Sequence, residues 1–397
     1  MKHIVILCDG MSDLPVDELG GKTPMTVANK PNMDKLARVA EVGLVKTVPD
    51  TLPPGSDVAN LSVLGYDPLK YYTGRSPFEA ASMGIEMDDN DIAIRCNLVA
   101  LSEEKSFMDA TMASYCADDI HTPQAAEIIN FVNEKIGNER FKFYPGISYR
   151  HCLIRKGDPS NVSQACTGVV PPHDIIGKKI ADYIKPTDGN RELLAMMERS
   201  YELLRGKQAN CIWLWGEGKK AILPSFKSEF GLNASMISAV DLLKGIGKIA
   251  EMEILHVKGA TGYIDTNFVG KARAAIDSLK NGADLAYIHI EAPDECGHRG
   301  EIANKVKSIE LIDELVLGTL FKAFELELKG EHIRIMIAPD HPTPLSLKTH
   351  TSDPVPYLIY DNKANKSGVA VFDEENAAST GIIIEKGHEL MRKYIYG

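Results

Sequence analysis

Residues 333–350 read IRIMIAPDHPTPLSLKTH, a short apolar run followed by a polar, proline-containing stretch. The apolar run at 333–338 is bounded by proline, which is typical of a buried strand in a parallel sheet. Asp340 and His341 follow, two adjacent residues that can both bind a metal ion, and a predicted loop then carries His350. Open α/β sheets place their chemistry just beyond the carboxyl ends of such strands. Taken alone, the pair fits equally well a turn-capping aspartate beside surface histidines.

Two other predicted strands are also followed by an aspartate. Residues 4–8 are apolar and are followed at once by Asp9, and residues 285–290 are apolar and are followed by EAPDECGH. In that last segment Asp294 and His298 are four residues apart, which places them on one face of a helical turn, within reach of one ion. Alone, such a pair is more often a surface hydrogen bond. An aspartate just beyond each of three predicted strands, however, favours a metal-binding sheet edge.

The stretch at 47–68, TVPDTLPPGSDVANLSVLGYDP, offers a candidate nucleophile. Its PPG sequence forces a turn, and Ser56 follows at the start of a helix predicted over 58–64, which Asp57 is able to cap. A hydroxyl at a helix N-terminus lies near unpaired amides and the positive end of the helix dipole, which suits an anionic adduct. Most serines in this position only cap the helix, so Ser56 carries little weight alone.

The order of the remaining segments predicts an α/β fold with a mostly parallel sheet flanked by helices. The pattern changes between about residues 76 and 205, where strands mix with helices and no strand ends in aspartate. We therefore expect a core formed by residues 1–76 and 206–397, with an inserted α+β domain at 77–205. Core helices are predicted over 32–42, 236–246 and 381–394, a long amphipathic helix over 302–320, and core strands over 212–215 and 252–257. Insert strands are predicted over 92–100 and 150–154, and insert helices over 123–136 and 191–204.

Composition and charge exclude some classes of partner. The 397 residues include 44 basic and 55 acidic side chains, and the net charge of −11 argues against nucleic acid as the main partner. The apolar run at the N-terminus is too short for a signal peptide or a membrane span, so no membrane association is expected. The cysteines are scattered without a CxxC pair and indicate reduced thiols in a cytoplasmic protein; they are Cys8, Cys96, Cys116, Cys152, Cys166, Cys211 and Cys296.

The predicted strand ends together supply carboxylates and imidazoles in equal number, namely Asp9, Asp294, Asp340, His298, His341 and His350. This mixture suits Mn²⁺ or Zn²⁺ better than Ca²⁺, whose sites use oxygen alone. Six ligands are too many for one open catalytic ion and fit two. A metal pair can lower the pKa of a hydroxyl and hold the oxygens of a transferring phosphoryl group. Because a serine needs such activation to attack phosphorus, Ser56 becomes the natural candidate nucleophile.

With these residues in view, the chain resembles the cofactor-independent phosphoglycerate mutases of the archaeal type, within the alkaline phosphatase superfamily. The resemblance covers nearly the whole chain, and its motifs occur in the expected order and spacing. In addition to His350 they are CDGMSD, PPGSDVANLSVLGYDP, YTGRSP, SYRHCLIRKG, PPHD, WLWGEGKK, KGATGYIDTN, DECGH, KVKSIELID and APDHPTP. The resemblance implies an alkaline-phosphatase-like core with a second, inserted domain that covers the substrate.

The resemblance also implies a role for each site residue. One metal ion would be held by Asp9, Ser56, Asp340 and His341, and the other by Asp294, His298 and His350. Ser56 would be the residue that is phosphorylated. Lys227, in LPSFK, would lie beside the serine and the phosphate. In the insert, Arg150, His151 and His173 would contact the substrate, although from spacing alone Arg150 and His151 fit an exposed polar strand face equally well.

The implied activity is the interconversion of 3-phosphoglycerate and 2-phosphoglycerate through a phosphoserine, with two divalent ions and without 2,3-bisphosphoglycerate. Mn²⁺ is the expected metal, with Zn²⁺, Co²⁺ and Mg²⁺ as alternatives, and the partner is a small phosphorylated metabolite. The oligomeric state is expected to be a monomer or a small homo-oligomer. A homoserine kinase-like phosphotransferase is an alternative, although the chain lacks a familiar Gly-rich ATP loop. Another phosphomutase or phosphatase of the superfamily is a further alternative, and Ser56 argues against a metal-stabilised binding protein without catalysis.

Overall fold

The computed structural model describes residues 1–157, 168–364 and 366–397. It divides into two compact units, the first made of Met1–Tyr72 and Ile222–Gly397 and the second of Thr73–Ala221. No helix in the described ranges is both long enough and apolar enough to cross a membrane. Cys166 lies outside the described residues, and the other cysteines are free thiols buried in the protein.

The strands of the described residues are numbered in chain order. They are β1 (Lys2–Cys8), β2 (Glu41–Val45), β3 (Ile92–Leu101), β4 (Met112–Ser114), β5 (Phe141–Tyr144), β6 (Arg150–Arg155), β7 (Cys211–Lys219), β8 (Ala234–Ile237), β9 (Glu253–Leu255), β10 (Leu285–Ile290), β11 (Ile333–Ala338), β12 (Val355–Asp361) and β13 (Ile383–Ile384). Short 3₁₀ helices lie at Asp17–Leu19, Phe107–Asp109, Pro172–Ile175 and Ile180–Asp182.

The α-helices are numbered in the same way. They are α1 (Pro24–Val27), α2 (Pro31–Ala37), α3 (Ser56–Val63), α4 (Pro68–Tyr71), α5 (Ser76–Ser82), α6 (Thr122–Lys135), α7 (Arg191–Leu203), α8 (Phe226–Phe230), α9 (Asp241–Ile249), α10 (Phe268–Lys280), α11 (Ala292–Arg299), α12 (Ile302–Leu311), α13 (Gly318–Leu326), α14 (Glu374–Ser379) and α15 (Glu389–Tyr396). A π-helical segment, Ile312–Leu317, joins α12 to α13. The long helix predicted over 302–320 is therefore present, with one π-helical interruption, and continues to Leu326.

The first unit is built on an eight-stranded sheet in the order β13-β2-β12-β11-β1-β10-β8-β9. The five strands from β11 to β9 are parallel to one another, and β12 is antiparallel to both of its neighbours. Every residue of β10 and β11 is buried, which is why their sequences are nearly continuous apolar runs. The predicted class, a mostly parallel sheet flanked by helices, is confirmed.

One face of this sheet packs against α10 and the long helix. Ile4, Ile6 and Cys8 alternate along β1 into a core that also contains Ile276 of α10 and Leu320 of α13. The parallel register places Leu7 beside His289 on one side and beside Ala338 on the other. Neighbouring strands therefore end at the same level, and whatever follows them in sequence emerges at one edge.

The second unit is an α+β body around an antiparallel sheet. β3 is its central strand, paired with β4, β6 and β7, and β5 pairs with β6. Leu98 of β3, Ile129 of α6 and Met197 of α7 belong to one buried apolar core. The strands and helices predicted inside the insert are all present. Their observed bounds differ from the predicted ones by no more than one residue.

Four predicted elements were wrong or incomplete. Residues 212–215 belong to β7, which pairs with β3 in the second unit and not with the core sheet. The helices predicted over 32–42, 236–246 and 381–394 each overlap a short strand of the core sheet, namely β2, β8 and β13. A strand of two to five residues beside a helix looks like a continued helix in the sequence, because only pairing with distant strands distinguishes the two.

Glu41 on β2 provides a test of the packing at this end of the sheet. Its carboxylate accepts hydrogen bonds from the Tyr357 hydroxyl (2.9 Å) and the Lys366 ammonium (2.8 Å) and pairs with Lys393 at 2.7 Å. Partial burial alone would raise the pKa of Glu41, but the two lysines outweigh burial and lower the pKa to about 2. The ionised form is therefore the one that the folded state prefers.

We predict that Glu41→Gln lowers the free energy of unfolding by about 1–2 kcal/mol at pH 7. A carboxylate whose pKa is lowered on folding stabilises the protein above its ordinary pKa and loses that effect as the pH falls towards the folded value. The difference between wild type and variant, measured by urea denaturation from pH 7 down to pH 3, should therefore shrink below about pH 4.5. The exposed Glu325→Gln serves as the control, and an undiminished difference at low pH would contradict the assignment.

Candidate active site

Three adjacent parallel strands deliver the candidate site residues to one sheet edge. Asp9 directly follows β1, α11 with Asp294 begins just after β10, and Asp340 follows β11 by one residue. The backbone amide of Asp9 still donates a hydrogen bond to the carbonyl of Ile290 at 2.9 Å. The segments that follow β1 and β10 therefore stay in register just beyond the strands. The side chains of all three aspartates are buried.

The first group of side chains is formed by Asp9, Asp340 and His341, whose ligand atoms lie within 4.8 Å of one another. His341 Nε2 lies 3.6 Å from Asp9 Oδ1 and 3.3 Å from Asp340 Oδ2. The Ser56 hydroxyl lies 3.1 Å from the same ring nitrogen. The three residues that were expected to share one metal ion with His341 therefore all lie within 4 Å of its Nε2.

The second group is formed by Asp294, His298 and His350. The Nε2 atoms of the two histidines are 2.8 Å apart, and each lies 3.3 Å from a different oxygen of Asp294. The rings of His341 and His350 stack with their centres 3.9 Å apart, which makes the two groups neighbours. All seven predicted ligands thus converge, although they are separated by up to 341 residues in the chain.

Ser56 is the first residue of α3, and Gly55 occupies the N-cap position with extended backbone. The predicted capping role of Asp57 is wrong, because this side chain lies inside the first turn. It accepts hydrogen bonds from the Val58 amide at 3.0 Å and from the Tyr72 hydroxyl at 2.7 Å. Ser56 thus lies at the N-terminal end of α3, where the helix dipole favours negative charge.

The Asp340 carboxylate is held by three donors. Oδ1 accepts from the backbone amides of Gly10 at 3.1 Å and His341 at 2.9 Å, and Oδ2 accepts from the Asn60 side-chain amide at 2.8 Å. Asn60 also donates to the carbonyl of Ser56 at 2.9 Å. Asn60 lies one turn after Ser56 on α3, so a single buried amide fixes the nucleophile candidate against a ligand candidate.

A buried ion pair fixes the loops that carry the other ligands. Lys305 donates to Asp13 at 2.7 Å and to the carbonyl of Thr343 at 2.7 Å, and the Lys305 and Asp13 side chains are both fully buried. The Thr343 hydroxyl donates in turn to Asp294. Asn60, Lys305 and Asp13 were not predicted as site residues; the signal that was available is their position inside the PPGSDVANLSVLGYDP, KVKSIELID and CDGMSD motifs.

The charges in this cluster are not balanced by the protein alone. Burial, together with the neighbouring carboxylates of Asp340, Asp294 and Glu291, raises the pKa of Asp9 well above its usual range. Burial also opposes ionisation of Asp294, but His298 and His350 outweigh it and lower the pKa of Asp294. Burial would lower the pKa of His298, but the contact with the Asp294 carboxylate outweighs burial and raises this pKa to about 9. The cluster therefore favours added positive charge.

The donor set fits divalent cations. Among the described residues, Asp9 Oδ1 is a buried carboxylate oxygen without a hydrogen-bond partner, which is costly unless a cation neutralises it. Carboxylates combined with imidazoles are the ligands of Mn²⁺ and Zn²⁺ sites. Glu291, which the sequence analysis missed, forms a further group with Asp9 and Asp294 in which the carboxylate oxygens lie within 4.8 Å of one another.

The remaining predicted residues lie outside this cluster. Lys227 is on α8 with an exposed side chain, and within the described part of the chain no hydrogen bond connects it to the cluster. Arg150, His151 and His173 belong to the second unit. Arg150 is exposed beside the ring of Tyr149, with 5.4 Å from its guanidinium carbon to the ring centre. Their predicted roles stay predictions.

His151 and His173 have different surroundings within the second unit. His151 is buried, its Nδ1 accepts from the Gly146 amide at 2.9 Å, and burial lowers its pKa to about 3. It is therefore a neutral ring. His173 is exposed and packs edge-on against Trp215, with 5.8 Å between the ring centres.

The second unit also contains an arginine cluster that the sequence analysis missed. The Glu79 carboxylate pairs with Nε of Arg75 at 2.8 Å and with Nε of Arg95 at 3.1 Å. The Arg95 guanidinium stacks on Trp215 at 4.2 Å, and Arg150 is close enough to add to the field at both Glu79 and Arg95. These three guanidinium groups and one carboxylate together carry a net positive charge.

Comparison with known proteins identifies the family. Residues 37–210 match the family model described as 2,3-bisphosphoglycerate-independent phosphoglycerate mutase. A relative from Geobacter sulfurreducens, named a probable 2,3-bisphosphoglycerate-independent phosphoglycerate mutase, is 46% identical, and the match covers 98% of each chain. The chain belongs to the 2,3-bisphosphoglycerate-independent phosphoglycerate mutase family. A relative from Methanothrix thermoacetophila, named as a mutase of this family, is 44% identical over 100% of each chain.

Family membership confirms the predicted resemblance and makes the chain an enzyme of the isomerase class. Solved structures agree with the fold. A structure from Pyrococcus horikoshii matches with a TM-score of 0.78 and 27% identity, over 99% of this chain and 96% of the other. A cofactor-independent phosphoglycerate mutase from Thermoplasma acidophilum matches with a TM-score of 0.62 and 23% identity, over 100% and 99% of the chains.

Gly10 lies where the strand ends meet, and its replacement tests their close approach. Its φ of +60° is in the left-handed region, and a Cβ there would lie 2.6 Å from both the Asp294 Cα and the Thr343 hydroxyl oxygen. Gly20 has a similar φ of +68° but nothing within 4 Å of an added Cβ. The two glycines therefore differ in crowding and not in backbone conformation.

We predict that Gly20→Ala lowers the free energy of unfolding of the metal-free protein by about 1–2 kcal/mol, the cost of a left-handed alanine. Gly10→Ala should cost about 1–3 kcal/mol more, because the added methyl group displaces Asp294 and Thr343. Urea denaturation of both variants measures the difference. Equal losses in the two variants would show that the strand ends are not packed as described.

Proposed function

We propose that this protein is a metal-dependent phosphoglycerate mutase that interconverts 3-phosphoglycerate and 2-phosphoglycerate through a phosphoserine at Ser56. The observation that carries the proposal is the position of the Ser56 hydroxyl, 3.1 Å from His341 and at the start of α3. A serine that only capped the helix would not need two groups of buried carboxylates and imidazoles beside it. The names of the closely similar relatives support the same substrate.

We propose that two divalent ions bind in the two groups of side chains. Asp9, Ser56, Asp340 and His341 would hold one ion, and Asp294, His298 and His350 would hold the other. Mn²⁺ is the expected metal because the set mixes carboxylate and imidazole ligands, with Zn²⁺, Co²⁺ and Mg²⁺ as alternatives. Bound ions would supply positive charge that stabilises the oxygens around the transferred phosphorus.

The proposed phosphoryl transfer has two half-reactions, and both involve Ser56. In the first half-reaction the bond between Ser56 Oγ and phosphorus forms while the bond from phosphorus to the 3-oxygen breaks. The proton lost by the serine is balanced by the proton that the 3-oxygen gains. In the second half-reaction the bond between the 2-oxygen and phosphorus forms while the bond from phosphorus to Ser56 Oγ breaks, and the proton lost by the 2-hydroxyl is balanced by the proton that Ser56 regains. Amides in the first turn of α3 stabilise the phosphoserine by about 0.3–1 kcal/mol.

The second unit is proposed to bind the anionic groups of the substrate. Arg150 was predicted for this role together with His151 and His173, and the pairing of Arg75 and Arg95 with Glu79 adds two guanidiniums with fixed orientation. Arginine recognises carboxylates and phosphates through paired hydrogen bonds. Covering of the substrate by this unit, which would keep water from hydrolysing the phosphoserine, stays a prediction, as do the role of Lys227, the cytoplasmic location and the oligomeric state.

The proposed substrate and metal requirement can be tested in one assay. Metal-free protein should be inactive on 3-phosphoglycerate, and Mn²⁺ alone should restore formation of 2-phosphoglycerate without 2,3-bisphosphoglycerate. The same preparation is then incubated with homoserine and ATP as the matched test of the kinase alternative. Mutase activity that survives exhaustive chelation would contradict the metal requirement. Phosphorylation of homoserine without mutase activity would replace the proposed reaction.

Ser56→Ala tests the nucleophile. The variant loses the hydroxyl but keeps six of the seven proposed ligands, so its fold and most of its metal binding should persist. General acid–base assistance alone typically contributes about 10²–10⁴-fold, and loss of the nucleophile should cost at least as much as the upper end of that range. Mutase activity should therefore fall by at least about 10⁴-fold. Ser379→Ala, which removes an exposed serine hydroxyl on α14, is the control and should keep normal activity.

A direct test of the same step uses 3-phosphoglycerate with a labelled phosphate. Wild-type enzyme is quenched during turnover and the label is located by mass spectrometry. The label should be found on Ser56. Label on a histidine, or an alanine variant with near wild-type mutase activity, would refute the phosphoserine route.

A further inference from the structure

His289 is a polar residue at the centre of the parallel sheet, with no exposed surface. Its Nε2 lies 2.9 Å from Asp9 Oδ2, and its Nδ1 lies 3.0 Å from the hydroxyl of Ser238. Ser238 follows β8, and its oxygen accepts a hydrogen bond from the Val240 amide at 3.0 Å. The chain of contacts therefore runs from a fixed backbone amide to the carboxylate of Asp9.

The protons along this chain can be assigned from the chemistry of its members. Asp9 would be ionised with a cation bound beside it, and an ionised carboxylate can only accept, so Nε2 of His289 would then carry the proton that it shares with Oδ2. A neutral ring that donates through Nε2 accepts at Nδ1, and the Ser238 hydroxyl lies there as the donor. Ser238 donates to the ring and accepts from Val240, which leaves no alternative orientation for its proton.

The two oxygens of Asp9 differ as a result. Oδ2 is occupied by His289, whereas Oδ1 has no hydrogen-bond partner among the described residues and lies 3.6 Å from His341 Nε2. A carboxylate rotates readily about its terminal bond unless one oxygen is held. The contact with His289 therefore decides which oxygen is presented to the proposed metal group.

We propose that His289 and Ser238 are positioning residues that aim Oδ1 of Asp9 at the metal-binding group, so that Asp9 contributes a single oxygen. This inference rests on the two-metal site of the proposed function. Hydrogen bonds to ligating carboxylates orient them in this way in other metal sites, and losing such a contact typically lowers metal affinity by about 10–100-fold.

Tyr287 supports the neighbouring ligand from the same strand. It lies two residues before His289 on β10, so both side chains are on the same face of the sheet. Its hydroxyl donates to Asn60 at 3.0 Å, and Asn60 donates to Asp340 at 2.8 Å. β10 thus carries two buried polar side chains in an otherwise apolar strand, and both lead to a proposed ligand of the same ion.

The test compares His289→Leu with His289→Gln. Leucine fills the space but removes both ring nitrogens, whereas the glutamine amide can still donate towards Oδ2 of Asp9. His3→Leu is the matched control, since His3 is also a buried histidine of the same sheet but packs against Tyr394 and lies at the opposite end of β1. Titration of the metal-free proteins with Mn²⁺ by calorimetry, with low-temperature EPR of the bound ion, provides readouts that do not depend on turnover.

For His289→Leu we expect Mn²⁺ affinity at one of the two sites to fall by about 10–100-fold. At limiting Mn²⁺ its EPR spectrum should change from a spin-coupled pair to an isolated ion. His289→Gln should recover most of the affinity, and His3→Leu should bind two ions normally. Ser238→Ala, which is less disruptive if His289→Leu does not fold, should show a smaller loss of about 3–10-fold at the same site.

Equal affinity in His289→Leu and wild type would overturn the inference. So would an equal loss in the leucine and glutamine variants, because the donor would then not matter. Failure of the proposed function gives a different result: wild-type protein would itself bind fewer than two ions, or bind two without mutase activity. The two failures are therefore distinguishable.

Discussion

The repulsion between Asp9, Asp294 and Asp340 is the constraint on which the site depends. Parallel pairing of β1 with β10 and β11 brings their ends to one level and buries the carboxylates together. Burial, together with the neighbouring carboxylates, makes ionisation unfavourable and raises the pKa of Asp9. The imidazoles balance part of this charge, and bound cations would balance the rest. A fold that is stable through its apolar strands thus accepts an unfavourable sheet edge at the proposed site.

The positions of Asp9 and Asp340, two of the proposed ligands, were predictable because each follows an apolar run. Such short runs are typical of buried strands, and parallel strands end at one edge. The i, i+4 spacing of Asp294 and His298 was also informative, since α11 places them on one face. His350 was the least constrained of the predicted ligands, because a loop carries it; its pairing with His298 depends on the path of that loop.

The supporting residues could not be predicted in the same way. Lys305 reads as one of several lysines on an amphipathic helix, and only tertiary packing shows that it is fully buried against Asp13. His289 sits inside an apolar run, where a neutral buried histidine is the simpler interpretation. The assignment of β7 failed for a related reason, because an apolar strand carries no record of the sheet in which it pairs.

The most direct test of the account is anomalous diffraction from crystals of the wild-type protein grown with Mn²⁺. The account predicts two anomalous peaks at the manganese edge. One should lie about 2.0–2.2 Å from ligand atoms of Asp9, Asp340 and His341, and the other at a similar distance from Asp294, His298 and His350. A single peak, or peaks remote from these side chains, would contradict the claim that the strand ends assemble a two-metal site.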